Sequence, residues 1–249
     1  MLPVIQIGPL VLPVPQLSLL LALWLGLSLA EKNAPLHNIT AASLYNLVFT
    51  GLIAGLVGGR LSYVFQYPAS FASSPVDILL PNPGLWDPFS GFAVGMLGML
   101  VYAQRSKLRF WNTLDALTPM LLVFATGLAV AHIASGESFG AETNLPWAIN
   151  LWGARRHPTQ FYELAAAVII FSLGMIRQKN SLRPGVLFLE FSAWTAGARL
   201  FLEAFHGDSV TIIGGVRSAQ IFAWAVLAVA LLLMELIRQN RLAGGGKNG

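Results

Sequence analysis

The sequence predicts an all-α membrane protein with about seven transmembrane helices, and three observations support this fold class. The residues are 55% hydrophobic and only 10% charged, with a mean hydropathy of +0.66, which is typical of integral membrane proteins. The apolar residues are gathered into segments of about 20 residues, the length that crosses a hydrocarbon core roughly 30 Å thick. The alternating strand pattern of a membrane barrel does not occur, so helices are expected to satisfy the backbone in lipid.

Seven apolar segments are predicted to span the membrane. They cover residues 10–30, 41–66, 88–104, 113–135, 159–177, 186–205 and 217–237. The first has no basic residue before it, so we expect a retained span and not a cleaved signal peptide. We interpret residues 1–243 as a single polytopic domain and the glycine-rich residues 244–249 as a disordered tail. Pro13 and Pro15 are expected to begin the first helix, and Pro119 to kink the fourth.

Lysine and arginine residues predict the orientation. The more basic set of connections carries ten of them, at Lys32, Arg105, Lys107, Arg109, Arg177, Lys179, Arg183, Arg238, Arg241 and Lys247. Because basic connections stay in the cytoplasm, the N-terminus is predicted outside and the C-terminus in the cytoplasm. The basic residues form separate short clusters and no continuous stripe, so we expect no nucleic-acid partner. Every lysine lies in a connection or the tail, which disfavours a retinal-type receptor with a Schiff base.

The opposite face carries five arginines and no lysine. They are Arg60, Arg155, Arg156, Arg199 and Arg217. Ionisable residues within a membrane cost about 3 kcal/mol each on insertion scales, and they usually face the interior of a helix bundle and pair there. Arg199 and Glu203 are spaced to pair on one helix face. One interpretation is a purely structural ion pair. The favoured one is a polar cavity, opening outward, that binds an anionic headgroup.

The densest polar run covers residues 155–163, at the predicted outer entrance to the fifth span. Two arginines, His157 and Glu163 fall within nine residues there. The chain has no cysteine, so it has no disulfide, no thiolate metal site and no cysteine nucleophile. The histidines and carboxylates show no convincing metal-ligand spacing, and we expect neither a metal nor another cofactor.

Several stretches resemble the bacterial prolipoprotein diacylglyceryl transferases, in the family's order and over nearly the whole chain. They are residues 7–9, 58–63, 115–119, 136–147, 156–163 and 183–185, followed by Arg199, Glu203 and Gln220. The most specific is 156–163, which matches the pattern Arg-His-Pro-x-Gln-x-Tyr-Glu. The resemblance implies a seven-helix enzyme that moves a diacylglyceryl group from phosphatidylglycerol to the cysteine thiol of a lipoprotein precursor. The site would face the outer side of the bacterial cytoplasmic membrane.

The resemblance, together with the predicted depth of the ionisable residues, suggests a set of site residues. The catalytic candidates are His132, His157, Arg199 and Glu203. The candidates for binding substrate or lipid are Arg60, Ser90, Glu137, Arg156, Gln160, Tyr162, Glu163 and Gln220. We expect a lateral, outward-facing cavity lined by Arg60, Ser90, His132, Glu137, His157, Glu163 and Arg199.

The sequence also departs from the family pattern. Ser90 stands where the family has a histidine, and His206 where a second outer arginine is expected. Residues 131–137 resemble a contracted signature that lacks an arginine and two asparagines, and the tyrosine of the first helix is absent. Two hypotheses remain open. One is an active or modified transferase in which Arg60, His132, His157 and Arg199 bind phosphate and transfer protons. The other is a catalytically impaired homologue that serves as a lipid-binding or structural subunit of a membrane complex.

Overall fold

The computed structural model describes residues 3–72, 74–79, 83–179, 183–212 and 216–245. Within these residues the chain forms eight α-helices and four short strands. The helices are α1 Val14–Asn33, α2 Ala41–Gln66, α3 Ala69–Ala72, α4 Pro88–Arg105, α5 Phe110–Ser135, α6 Thr159–Gln178, α7 Val186–Leu202 and α8 Ser218–Gly245. The strands are β1 Val4–Ile7, β2 Leu10–Pro13, β3 Ile149–Leu151 and β4 Ala154–Arg156, paired as two antiparallel hairpins.

The mostly helical membrane fold is confirmed, because each predicted span overlaps one of the seven long helices. Five of these, α1, α2, α5, α6 and α8, are long and apolar enough to cross a membrane. Helix α7 has 17 residues, and α4 ends in the polar pair Gln104 and Arg105. The count of seven spans and the orientation of the chain therefore stay predictions.

The first predicted span begins too early. Residues 10–13 form β2, which pairs with β1 across a turn at Gly8, where φ is +61°. Helix α1 then begins at Val14 with Pro15 in its first turn, where the ring's fixed φ suits a helix start. At the other end, α8 continues through Gly245 and so includes the first two residues of the predicted tail. Residues 246–249 lie outside the described part of the chain.

The chain forms two compact units. The first comprises residues 1–33 and 117–249, and the second comprises residues 34–116, so their boundary falls inside α5. The interpretation of residues 1–243 as one domain stays a prediction.

In the second unit, α2 packs closely against α4 through facing glycines. A Cβ atom added to Gly91 would lie 2.9 Å from the carbonyl oxygen of Gly55, and one added to Gly95 would lie 2.9 Å from that of Gly51. Such distances leave no room for a side chain. Small residues allow the backbones of membrane helices to approach, and this gain in packing holds helices together where lipid removes the hydrophobic driving force.

In the first unit, a loop after α5 is tied to the end of α7. Gly140 forms an isolated bridge with His206, and Glu142 forms one with Arg156 of β4. The amide of Ala141 donates to the carbonyl of Phe205 at 2.8 Å. These bonds hold the loop and the β3–β4 hairpin beside the ends of α6 and α7, where the polar residues of the site gather.

Candidate active site

Glu163, in the first turns of α6, is the centre of a polar cluster. Its Oε2 atom lies 2.7 Å from Nδ1 of His132, which is in the last turn of α5. Its Oε1 atom accepts a hydrogen bond from Ser138 Oγ at 2.7 Å and lies 3.0 Å from His206 Nε2. Arg199 Nη1 of α7 donates to the same oxygen at 3.3 Å. One carboxylate therefore joins groups from α5, α6, α7 and the segments that follow α5 and α7.

The partners of His206 determine where its protons lie. Its Nδ1 atom is 2.9 Å from the carbonyl oxygen of Leu202, and since a carbonyl only accepts, Nδ1 carries a hydrogen. Burial of this side chain lowers the pKa of His206, but the hydrogen bonds to Glu163 and Leu202 outweigh it and raise the pKa above its usual value. A protonated His206 donates from Nε2 to Glu163. The neutral form accepts there from Ser138 Oγ, 2.9 Å away, when that hydroxyl turns its single hydrogen from Glu163 to the ring.

Arg199 pairs with a second carboxylate, that of Glu203, the residue directly after the end of α7. Its Nη2 atom lies 2.9 Å from Oε2 of Glu203, and this confirms the pairing predicted from their spacing. The Glu203 side chain is fully buried, whereas that of Arg199 is 40% exposed. Among the described residues, neither Glu203 oxygen accepts a hydrogen bond of good geometry. The charge of Arg199 therefore compensates a buried carboxylate, although its side chain is itself only partly buried.

A cavity of about 200 Å³ lies beside this cluster, between α5, α6 and α7. His132, Glu163 and Arg199 line its polar part. The remaining walls are almost entirely apolar, with Leu122 and Ile170 among them. The shape combines an apolar channel with a cation and a histidine, an arrangement suited to a molecule that has a hydrocarbon chain and a charged head.

His157 and Tyr162 belong to an aromatic cluster. The ring of His157 lies 5.3 Å from Phe205 and 6.3 Å from Tyr162, centroid to centroid. The Tyr162 hydroxyl accepts a hydrogen bond from Trp147 Nε1 at 2.8 Å. Nδ1 of His157 is buried and has no hydrogen-bond partner among the residues that the structure describes. The catalytic role of His157 and the lipid-binding role of Tyr162 stay predictions.

Arg156 organises the loop between α5 and α6. Its guanidinium donates to the carbonyls of Leu151 at 3.2 Å and Gly140 at 3.3 Å, and to Glu142 Oε1 at 3.4 Å. It also lies 5.0 Å from the ring centroid of Phe139. These contacts give Arg156 a structural role in holding the loop together. Its role in binding substrate stays a prediction.

Gln160, Glu137 and Gln220 occupy three different environments. Gln160 is fully buried, donates from Nε2 to the carbonyl of Glu137 at 3.0 Å, and has no partner for Oε1 among the described residues. Glu137 is exposed. Gln220 lies in the first turn of α8, where its main-chain N–H donates to the carbonyl of Arg217 at 3.0 Å. Their roles in binding substrate stay predictions.

Arg60, in the second unit, is buried and donates to main-chain carbonyls. Nε donates to Ile78 at 3.0 Å, Nη1 to Leu85 at 2.8 Å, and Nη2 to Asp77. All three acceptors belong to the connection between α3 and α4. The guanidinium thus anchors this connection, and the phosphate-binding role suggested by its depth stays a prediction.

Ser90 is part of a network around Asp87, the residue that caps the N-terminus of α4. Ser90 Oγ donates to Asp87 Oδ2 at 2.6 Å and accepts from Ser62 Oγ at 2.9 Å. Gln66 Nε2 donates to the same carboxylate oxygen at 2.9 Å. The hydrogen bond from Ser90 is the largest influence on the pKa of Asp87. Together with the bonds from Gln66 and Ser62 it outweighs desolvation and lowers the pKa of Asp87 to about 2. Ser90, at the position where the resemblance predicts a histidine, therefore belongs to a hydrogen-bond network around an ionised carboxylate.

Comparison with known proteins identifies the family. The family described as prolipoprotein diacylglyceryl transferase matches residues 3–236. The chain belongs to this family. The expectation from the sequence motifs is therefore confirmed, and membership together with the apolar helices identifies an integral membrane protein.

Three of the most similar relatives carry the name phosphatidylglycerol–prolipoprotein diacylglyceryl transferase. The protein of Nostoc sp. strain PCC 7120 is 26% identical over 91% of this chain and 86% of its own length. The protein of Azoarcus sp. strain BH72 is 29% identical over 96% of both chains. That of Enterococcus faecalis strain V583 is 24% identical over 88% of this chain and 83% of its own length.

Two members of the Glu163 cluster in this diacylglyceryl transferase family member were not among the predicted site residues. The sequence indicates His206 only as a replacement for an arginine, three residues after Glu203. Ser138 carries no sequence signal, because its contact with Glu163 depends on a left-handed backbone conformation with φ of +56°. Asp87 was missed in the second unit, since a residue before a proline usually reads as a simple helix cap.

Proposed function

We propose that this chain is an active transferase that moves the diacylglyceryl group of phosphatidylglycerol to the cysteine thiol of a lipoprotein precursor. Membership of the family supports the reaction class. The observation that carries the proposal is the cavity whose apolar walls end at His132, Glu163 and Arg199. The apolar part suits an acyl chain, because lipid tails and aliphatic side chains are equally apolar. The phosphodiester at the head of that lipid then reaches the polar part.

The chemistry requires one bond to form and one to break. The cysteine sulfur forms a bond to the terminal glyceryl carbon of the diacylglyceryl group, and the bond between that carbon and the phosphate oxygen breaks. The oxygen keeps the electron pair, so glycerol phosphate leaves. The thiol proton passes to a base, because a thiolate is the better nucleophile.

His132 is the proposed base. Its Nδ1 atom donates to Glu163 Oε2 at 2.7 Å, which leaves the Nε2 lone pair of the neutral ring available in a residue that lines the cavity. Once the ring takes up a proton, Glu163 stabilises the imidazolium. This is the role of an acid that orients a catalytic histidine. In this proposal His132 supplies the histidine chemistry that Ser90 cannot supply.

Arg199 is the proposed phosphate ligand. The phosphodiester carries one negative charge before the reaction, and the departing phosphate gains a second. A guanidinium beside it therefore binds the transition state more strongly than the substrate, which is the condition for lowering the barrier. The 40% exposure of the Arg199 side chain leaves donors for this contact, while Glu163 and Glu203 hold it in place.

The partners follow from this reaction. They are phosphatidylglycerol and a lipoprotein precursor, and the proposed location is the bacterial cytoplasmic membrane with the site on the outer side. The excess of lysine and arginine in one set of connections supports this orientation, since such connections remain in the cytoplasm. Seven spans, with the N-terminus outside and the C-terminus inside, match that pattern.

Complementation tests the proposal. Bacteria depleted of their own transferase would express this chain, and lipid labelling of a reporter lipoprotein would be measured. We expect labelling with the wild-type chain and with Glu235→Gln, which changes a partly exposed residue in the C-terminal half of α8. We expect labelling to disappear with His132→Gln. No labelling despite wild-type levels of the chain in the membrane would instead support the impaired homologue.

A further inference from the structure

A second cavity, of about 400 Å³, lies wholly within the unit formed by residues 34–116. It is built by the 3-10 turn Ala34–His37, the residues after it and the segment that leads into α5. The polar lining residues whose side chains end in nitrogen donors are His37, Asn38, Lys107, Arg109 and Asn112. None of these residues has a part in the proposed transfer reaction.

His37 is the most informative of them. Its side chain is only 8% exposed, and its Nε2 atom is buried without a hydrogen-bond partner among the described residues. Its Nδ1 atom faces Asp115 Oδ2 at 4.0 Å. Burial lowers the pKa of His37 and outweighs the opposing charge of Asp115, so a nearby anion would be needed to hold the ring as an imidazolium, with Nδ1–H toward Asp115 and Nε2–H toward that anion. A buried polar atom without a partner costs free energy, so an acceptor placed beside Nε2 would remove that cost.

The start of α5 contributes further donors to the same cavity. The amide of Thr113 donates to the carbonyl of Arg109 at 2.9 Å, so Arg109 caps the 26-residue helix. The first amides of a helix have no acceptor within the helix, and the aligned peptide dipoles make that end favourable for an anion. Asn112 lies in this first turn, and its Nδ2 atom fixes His37 by donating to that residue's carbonyl at 3.0 Å.

Lys107 and Arg109 are exposed residues that line the cavity, and they add two positive charges. We propose that this cavity binds a phosphate group. A phosphate offers several acceptor oxygens around one centre, which matches donors arriving from a helix start, a lysine, an arginine and a buried histidine. The group could belong to the headgroup of an anionic phospholipid or to a free phosphate, and the same donors would recognise either.

Calorimetric titration with inorganic phosphate, at an ionic strength held constant with chloride, tests for the free ion in the purified protein. The test variant is the double substitution Lys107→Gln with Arg109→Gln, whose exposed positions keep the fold intact. The matched control is Arg105→Gln, which removes a neighbouring exposed charge that does not line the cavity. We expect the double variant to raise the Kd by about tenfold or more, since a charge-assisted hydrogen bond contributes about 1.5–3 kcal/mol.

Native mass spectrometry from nanodiscs tests for the lipid headgroup. Retention of phosphatidylserine would be compared with that of a phosphatidylcholine control. Greater retention of phosphatidylserine that is lost in the double variant and kept in Arg105→Gln supports a headgroup as the source, whereas a matching loss in the phosphate titration supports the free ion. His37→Phe should weaken the same binding with little change in unfolding temperature. The proposal is overturned if wild-type protein binds in neither experiment, or if Arg105→Gln weakens binding as much as the double variant.

Discussion

The Nδ1 atom of His132 lies 2.7 Å from Oε2 of Glu163, which joins the end of α5 to the start of α6. Because the carboxylate can only accept when ionised, the hydrogen of the neutral imidazole is held on Nδ1. The ring is thereby fixed in both orientation and tautomer, with Nε2 free to accept a proton. Glu163 also contacts Arg199 and His206, so the proposed base and the proposed phosphate ligand share one anchor.

Removal of the proposed base is expected to abolish most of the transfer. His132→Gln keeps a similar volume but cannot take the thiol proton, and general-base catalysis contributes about 10²–10⁴-fold to a rate. We therefore expect the initial rate to fall at least about 100-fold, measured in proteoliposomes with phosphatidylglycerol and a cysteine-containing precursor peptide. Glu235→Gln, in the C-terminal half of α8, should retain the wild-type rate. A His132→Gln rate within a few-fold of wild type would exclude His132 as the base.

Substitutions at Arg199 and Glu203 distinguish a structural role of Arg199 from a catalytic one. Arg199→Met alone leaves the fully buried Glu203 carboxylate without its cation, a change that costs about 3 kcal/mol or more in buried pairs. The double variant Arg199→Met with Glu203→Gln removes both charges and should recover most of the unfolding temperature. Its transfer rate should remain as low as that of the single variant. Recovery of both stability and rate would show that Arg199 serves packing alone.

His206 is expected to make stability depend on pH. Its folded pKa is raised above the unfolded value of about 6.5, so protonated His206 favours the folded state. This contribution is complete below the unfolded pKa and is lost as the pH rises through the higher folded value. The unfolding temperature of wild type minus that of His206→Gln should therefore shrink from pH 6 toward pH 8. A difference that stays constant or grows with pH would contradict the proton positions inferred for this cluster.

The close packing of α2 on α4 should not tolerate a side chain at Gly91. A Cβ atom there would lie 2.9 Å from the carbonyl oxygen of Gly55, and overpacking of this kind typically costs about 1–3 kcal/mol. Gly91→Ala should lower the midpoint of thermal unfolding in detergent. The matched control is Gly197→Ala in α7, where an added Cβ meets no described atom within 4 Å and helix propensity favours alanine by about 1 kcal/mol. Equal effects of the two substitutions would refute the glycine contact.

The helices were predictable because lipid imposes a simple requirement on length and apolarity. The span predicted at residues 41–66 coincides with α2, Ala41–Gln66. The hairpin of β1 and β2 was not predictable, since residues 10–13 are apolar and continue without interruption into the first helix. Only Pro13 and Pro15 marked the boundary, and proline is compatible with either a strand end or a helix start.

The site was predicted less completely than the fold. Arg60 was expected to face an anion because it is a charged residue near a span end, but its donors contact carbonyls 17 to 25 positions away. Such acceptors can be identified only once the path of the connecting loop is known. The pairing of Arg199 with Glu203 was predictable, because a spacing of four residues fixes proximity within a single helix.

The membrane class, the approximate positions of the long helices and the family follow from the amino-acid sequence, since these depend on composition, on local apolar length and on ordered motifs. The tertiary structure alone decided which polar residues meet. The side chains that contact Glu163 lie 25 to 43 positions away, and they converge because α5, α6 and α7 pack together. The separation of two residues along the chain does not predict such contacts. A largely buried carboxylate nevertheless requires hydrogen-bond partners, and the packing of the helices supplies them.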